Sequence, residues 1–223
     1  MGACANTVFW RPGRAAIQAA METRAASQTQ VPSAAVVINH EVQDYAAWKR
    51  AFDRHAGARR SAGIVAAHVN QDADNPNRLS VYLAGADRAK LAAFVGDIAL
   101  MAAMREAGVT GPPHIIDMTP VEDRTCKDRP LAGLIIRHEV RDFADWKAAF
   151  DGHDDARSKA GVLGYAVSRS VRNPNVVVVY LQAAALEALR AFAAAPDLKA
   201  AMAAAGVVGE PDLSFVHGGE WQS

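Results

Sequence analysis

The sequence predicts an α+β protein in which two tandem βαββαβ repeats close on each other into one intramolecular barrel. Three observations carry that prediction. The first is a repeat: INHEVQDYAAWKRAFDRHAGARRSAG, from Ile38, is matched by IRHEVRDFADWKAAFDGHDDARSKAG, from Ile136. The offset is about 98 residues, and about 37 of some 80 aligned positions are identical, well beyond chance. The second is that each copy reads strand, helix, strand, strand, helix, strand. The third is geometric. Such a unit lays both helices on one face of an antiparallel sheet and leaves the other face bare. A bare apolar face must be covered, and a second copy tethered in the same chain is the nearest cover.

The elements follow in order. Val36 to Val42 is a β-branched run, hence a strand. Asp44 stands where a helix N-cap belongs. Trp48, Phe52, His55 and Arg59 follow at helical spacing, and Gly63 is a C-terminal stop. Ile64 to Val69 is a second strand, Asn75-Pro76-Asn77 a turn, and Leu79 to Leu83 a third strand, paired antiparallel with the second. An Ala-rich helix runs from Asp87 to Ala107 and is stopped by Gly108. His114 to Met118 is the fourth strand. In the later copy Pro196 interrupts the second helix, with a fresh start at Asp197. The order is the ferredoxin-like, split βαβ arrangement. The expected organisation is residues 34–118 as the first repeat, 119–131 as a linker, 132–218 as the second repeat and 219–223 as a tail. Residues 1–33 are expected to be a poorly ordered extension, with Met21 an alternative start.

Composition removes several classes of function. Of 223 residues 51% are hydrophobic, enough for a core, and 24 basic residues balance 24 acidic ones. That balance gives no electrostatic footprint for nucleic acid or an anionic membrane. No run approaches the roughly 18 apolar residues of a membrane span. Cys4 and Cys126 are too few and too isolated for a disulfide framework or a cysteine-built zinc site, which fits a cytoplasmic protein. No HExxH, GxGxxG or P-loop occurs, so neither a metal nor a nucleotide cofactor is expected.

Strand alternation sorts the candidate residues. Val36, Ile38 and His40 share one face of the first strand, as do Leu134, Ile136 and His138 in the second copy. This more apolar set should meet the helices. Asn39, Glu41, Arg137 and Glu139 then look into the barrel, with Tyr82 and Tyr180 from the third strands. His68 and Tyr165 complete a candidate substrate-binding set near the interior. His40 and His138 titrate near neutrality and are candidate general bases. The plainer role is a half-buried, hydrogen-bonded structural histidine. Glu41 and Glu139 read as a paired carboxylate site across the pseudo-twofold axis, or as an interface ion pair with Arg137, or as solvent-exposed residues near the strand end. Tyr82 and Tyr180 read as donors to a substrate oxygen, or as packing between the sheets. Trp48, Phe52, Trp146 and Phe150 are i, i+4 core pairs. His55, His153, Arg59 and Arg157 close the helix end against nearby carbonyls.

The pattern HEV-x-DF-x-DW-x3-F, followed by Arg157, Gly161, Asn173-Pro174-Asn175, Pro196-Asp197-Leu198 and Ala205-Gly206-Val207, resembles the dimeric α/β-barrel superfamily. It is most similar to the antibiotic biosynthesis monooxygenase-like and polyketide cyclase-like members, once per copy. The resemblance implies a cofactor-independent monooxygenase-type or cyclase-type reaction on a small hydrophobic, aromatic or polyketide-like compound. A first-strand histidine serves related cyclases. By that likeness His40 or His138 would be the base and Tyr82 or Tyr180 would orient the oxygen. Non-catalytic ligand binding or a stress-related role is the alternative. Related haem-degrading proteins share the asparagine at Asn39, but their third-strand tryptophan and second-helix histidine have no counterpart in either copy. Expected partners are the small ligand and, possible for this superfamily, further copies of the pseudo-dimer.

Overall fold

The computed structural model describes residues 31–222. The first copy runs β1 (Ala34–Glu41), α1 (Tyr45–Arg54), α2 (Ala56–Ser61), β2 (Ile64–Asp72), β3 (Arg78–Gly85), α3 (Arg88–Val95), α4 (Ile98–Glu106) and β4 (His114–Asp123). The second copy runs β5 (Ala132–Val140), α5 (Phe143–Gly152), α6 (Asp154–Lys159), β6 (Val162–Ser170), β7 (Val176–Ala183), α7 (Leu186–Ala194), α8 (Pro196–Ala204) and β8 (Val207–Gln222). The expectation for residues 1–33 falls, as far as residue 30, outside the described residues.

The eight strands form one closed antiparallel barrel in the order β1-β3-β2-β8-β5-β7-β6-β4, with β4 returning to β1. Two four-stranded ferredoxin-like sheets, 4-1-3-2 and 8-5-7-6, are therefore sealed along β2–β8 and β4–β6. Closure removes every free edge, which would otherwise invite pairing with other chains. The helices cover the outside, and the core divides accordingly. One apolar cluster lies under the helices of each half, around Trp48 and around Trp146. A third, containing Ala35, Val37, Met118 and Val178, lies inside the barrel.

Local chemistry sets the helix starts. Asp44 accepts from the Ala46 amide, and Asp142 from the Asp145 amide. Three boundaries differ from expectation. The first helix of each copy breaks after one long segment, at His55 and at His153, which leave helical geometry. The second helix breaks in the first copy as well as at Pro196. Asp97 takes a β-region conformation and caps a new helix through the amides of Ala99 and Leu100. Ala195, ahead of Pro196, has nearly the same dihedrals. An aspartate in one copy and a proline in the other thus impose the same bend.

The third difference concerns the fourth strands. The stretch expected as a linker, 119–131, is strand as far as Asp123, and the expected tail, 219–223, is strand through Gln222. The reason is pairing across the halves. Ala35 to Asn39 of β1 pair with β4 between His114 and Met118, after which β4 continues along β6 from Met118 to Asp123. β8 likewise leaves β5 to pair with Ala67–Asp72 of β2. Each fourth strand belongs to both halves, so its end is fixed by a distant partner.

Candidate functional site

His40 and His138 sit on the helix-facing side of β1 and β5. His40 pairs across the sheet with Leu79 and His138 with Val177, both fully buried in the helix-side clusters. The His40 ring centroid lies 5.3 Å from that of Trp48, and the His138 centroid 5.4 Å from that of Trp146. Each tryptophan stacks at 5.1 Å on the phenylalanine one turn later, Phe52 or Phe150. Beyond each aromatic stack the guanidinium of Arg59 or Arg157 lies 3.8 Å above the phenylalanine ring and donates to that residue's carbonyl.

Each constellation opens onto a cavity between sheet and helices. The N-terminal cavity is about 480 Å³ and is walled by His40, Trp48, Phe52, Phe94 and Met104. The C-terminal cavity is about 520 Å³, with His138, Trp146, Phe150, Phe192 and Met202 in the same places. Volumes of this size, with apolar walls and few polar groups, are those of small-molecule sites. The C-terminal space follows from an alanine-rich α7–α8 layer, whose short side chains leave a gap over the sheet.

Burial lowers the pKa of both histidines to about 4, so each is neutral at pH 7. A neutral imidazole carries one donor and one acceptor nitrogen. Neither nitrogen of His138 has a partner among the described residues, and neither does Nε2 of His40. Buried polar atoms of this kind cost folding free energy unless something else bonds them. An apolar guest with one hydroxyl or carbonyl would meet that need.

The tyrosines lie on the opposite face of the same sheets. Tyr82 pairs with Val37 and Tyr180 with Ile135, both interior positions. The Tyr180 hydroxyl donates to Asn70 Oδ1 at 3.1 Å and stands 3.3 Å from His68 Nε2. Trp221 stacks on His68 with centroids 4.2 Å apart and meets Tyr82 edge-on at 6.1 Å. Gly133 makes room, since a Cβ there would stand 2.6 Å from Tyr180 Cε2. Burial raises both tyrosine pKa values and lowers that of His68 to about 4. About 50 Å³ of space remains around this cluster. The expected chamber uniting His40 or His138 with Tyr82 or Tyr180 therefore does not form, because a sheet separates them.

The other candidates disperse. Asn39 and Arg137 line a cavity of about 240 Å³ at one end of the barrel. Glu41 is exposed and pairs with Arg78 at 3.1 Å, and Glu139 is exposed and accepts from Asn173 at 3.2 Å. Strand ends face solvent, so Glu41 and Glu139 form no carboxylate pair in the interior. His68 is in the interior as expected. Tyr165 is not: it pairs with Leu181 on the helix side, meets Phe150 edge-on at 5.3 Å and donates to Glu122 at 3.0 Å. The bulge between Val162 and Gly164 shifts the alternation there. Sequence reasoning assigned Trp48, Phe52, Arg59 and their counterparts to packing and helix ends. They do pack, and they also wall the cavities. Their presence at the same register in both copies was the available signal.

Because Tyr180 acts in the barrel network, Tyr180→Phe should lower stability by about 1–3 kcal/mol by unpairing buried Asn70 and His68. Chemical denaturation reads this, and ligand affinity in the helix-side cavities should stay unchanged. A large affinity loss with unaltered stability would instead place Tyr180 at the binding site.

No protein-family model and no curated protein matches the sequence. Solved structures do match. A candidate monooxygenase from Lactobacillus acidophilus NCFM superposes with a TM-score of 0.62 at 15% identity, covering 87% of this chain and 97% of that one. An anthrone oxidase-like protein gives 0.62 at 14%, covering 87% and 94%. A ferredoxin-fold protein from Listeria monocytogenes related to antibiotic biosynthesis monooxygenases gives 0.51 at 9%, covering 83% and 94%. At these identities the likeness is one of fold: a dimeric α/β barrel with both halves in one chain. Among the described residues no helix is long and apolar enough to cross a membrane.

Proposed function

We propose that this protein carries two cofactor-independent active sites, one per half, acting on a small hydrophobic aromatic or polyketide-like compound by a monooxygenase-type or cyclase-type reaction. The observation that carries the reading is the twice-built cavity in which one neutral histidine with an unpartnered nitrogen faces apolar walls. The fold shared with a candidate monooxygenase and an anthrone oxidase-like protein supports the oxygenase form. A planar guest would lie against the Trp–Phe stack, its oxygen toward His40 or His138. The imidazole, already in its basic form at pH 7, takes a proton from a carbon or hydroxyl acidified by ring conjugation. The resulting anion sits beside the new imidazolium, and the ion pair stabilises both against the apolar walls. In the oxygenase form the carbanion reduces dioxygen, one oxygen atom enters the product and the other leaves as water. In the cyclase form the same carbanion closes an aldol ring.

One feature favours a second reading, ligand binding without turnover. Among the described residues no carboxylate hydrogen-bonds either histidine to orient it or raise its basicity. Anthrone separates the two. Incubated with the full chain, without added metal or flavin, it is expected to give anthraquinone with one dioxygen consumed per product, faster than the uncatalysed reaction. Binding with no oxidation would select the second reading, and no binding would remove both.

A further inference from the structure

We propose that duplication has produced two pockets of opposite charge preference: the N-terminal pocket takes an apolar compound with an anionic group, the C-terminal pocket a neutral or cationic one. This deepens the reading of the helix-side cavities as ligand sites and rests on it. The His, Trp, Phe and Arg constellation is common to both and cannot discriminate. Two independent differences around it can.

The first is at the rim. Arg105, in the last turn of α4, lines the N-terminal cavity, and its counterpart in the second copy is Ala203. Asp197, in the first turn of α8, lines the C-terminal cavity, and its counterpart in the first copy is Ala99. Neither charge has an ion-pair partner among the described residues.

The second is at the buried arginine. Arg157 Nη2 donates to the Asp154 carboxylate at 2.9 Å, so the guanidinium charge in the C-terminal pocket is compensated. The counterpart of Asp154 is Ala56. Arg59 instead donates to the neutral amide oxygen of Gln222 and to the Phe52 carbonyl. Lys49 pairs with Asp53 and Lys147 with Asp151 beside the two arginines; Lys147 also pairs with Glu122 at 2.8 Å, and Glu122 with Arg124 at 2.6 Å, an added anion and an added cation that offset each other. Both differences therefore act in one direction. Two cations, Arg59 and Arg105, face the N-terminal cavity, while Asp197 is the uncompensated charge of the C-terminal one. Buried Arg59 acts beside low-dielectric walls and selects the sign of a guest more strongly than it would in water, while exposed Arg105 and Asp197 add a partly screened preference at the rim. The linings differ in kind as well: Met101 adds an adaptable side chain to the N-terminal wall, whereas the C-terminal wall has more alanines.

Three probes with one ring system test this by calorimetric titration of the full chain: 1-naphthoate, 1-naphthylmethylammonium and uncharged 1-naphthylmethanol. The neutral probe is expected to occupy two sites. Naphthoate and naphthylmethylammonium are expected to bind together, one each, without competing. Arg105→Glu should weaken naphthoate at least fivefold and leave the ammonium probe unchanged, and Asp197→Lys should do the reverse. Both side chains are exposed, and unchanged binding of the neutral probe certifies that each variant is folded. Competition between the charged probes, or indifference to both reversals while the neutral probe still binds twice, would overturn the charge preference alone. Failure of the neutral probe to bind would overturn the pockets themselves.

Discussion

Acidification from pH 7 to pH 4 is expected to remove most of this protein's folding stability. His40, His68 and His138 each have a folded pKa of about 4 against an ordinary value of 6.5, burial being the cause in every case. Below 6.5 the unfolded chain takes up protons at these sites and the folded one does not, so stability falls as pH falls. The loss is complete below about pH 4, where both states are protonated, and vanishes above 6.5, where neither is. Each histidine contributes of the order of 3 kcal/mol to that loss. Three together approach the roughly 5–15 kcal/mol by which domains are stable at all. Asp53 and Glu122, whose carboxyls are held below their usual range by Lys49 and Gln222 and by Lys147 and Tyr165, add losses of the same sign at the acid end. Denaturant midpoints at pH 7, 5.5 and 4.5 measure the slope. The double variant His40→Leu/His138→Leu should remove about two-thirds of the histidine part of the slope, two of three equal terms. A wild-type profile flat to pH 4.5 would mean that these imidazoles are hydrated in the native state.

Replacing both pocket histidines is expected to lower turnover by about a hundredfold or more, the scale of a lost general base. His40→Ala/His138→Ala keeps the Trp–Phe stacks, so ring binding should persist while anthrone oxidation fails. Single variants should retain the activity of the untouched half, and unequally. His138 is 6% exposed with both nitrogens unpartnered, whereas His40 is partly exposed with one. His138→Ala should therefore have the larger effect. Tyr82→Phe and Tyr180→Phe act across the sheet and should leave turnover alone. Equal, negligible effects of the two histidine variants would remove imidazole from the mechanism.

The architecture was legible because the repeat keeps register over a whole unit and because a one-sided sheet needs a cover. The faces of the first strands were legible too: Ile38 and His40 against Asn39, and Ile136 and His138 against Arg137, follow from alternation, whereas the bulge before Tyr165 hid its face. What failed was the location of the empty space. Barrel closure suggests one chamber at its centre, but Tyr82, Tyr180, Trp221 and His68 reduce part of the interior to about 50 Å³, and about 240 Å³ remains beside Asn39 and Arg137. Trp221 comes from a segment read as a tail, and its counterpart in the first copy is Asp123, so no repeat signal marked it. The two larger spaces lie under the helices, where side-chain volume decides, and periodicity does not report volume. The breaks at Asp97 and the overruns of β4 and β8 were hidden for a related reason, since each depends on a cap or partner strand outside the local pattern.

The central claim is that guests bind between sheet and helices, once in each half. A crystal structure of the full chain with 1-naphthylmethanol tests it most directly. The expected result is ring density against Trp48 and Trp146, with the hydroxyl at hydrogen-bond distance from His40 and His138. Density in the barrel cavity beside Asn39 and Arg137, with both helix-side cavities empty, would contradict it.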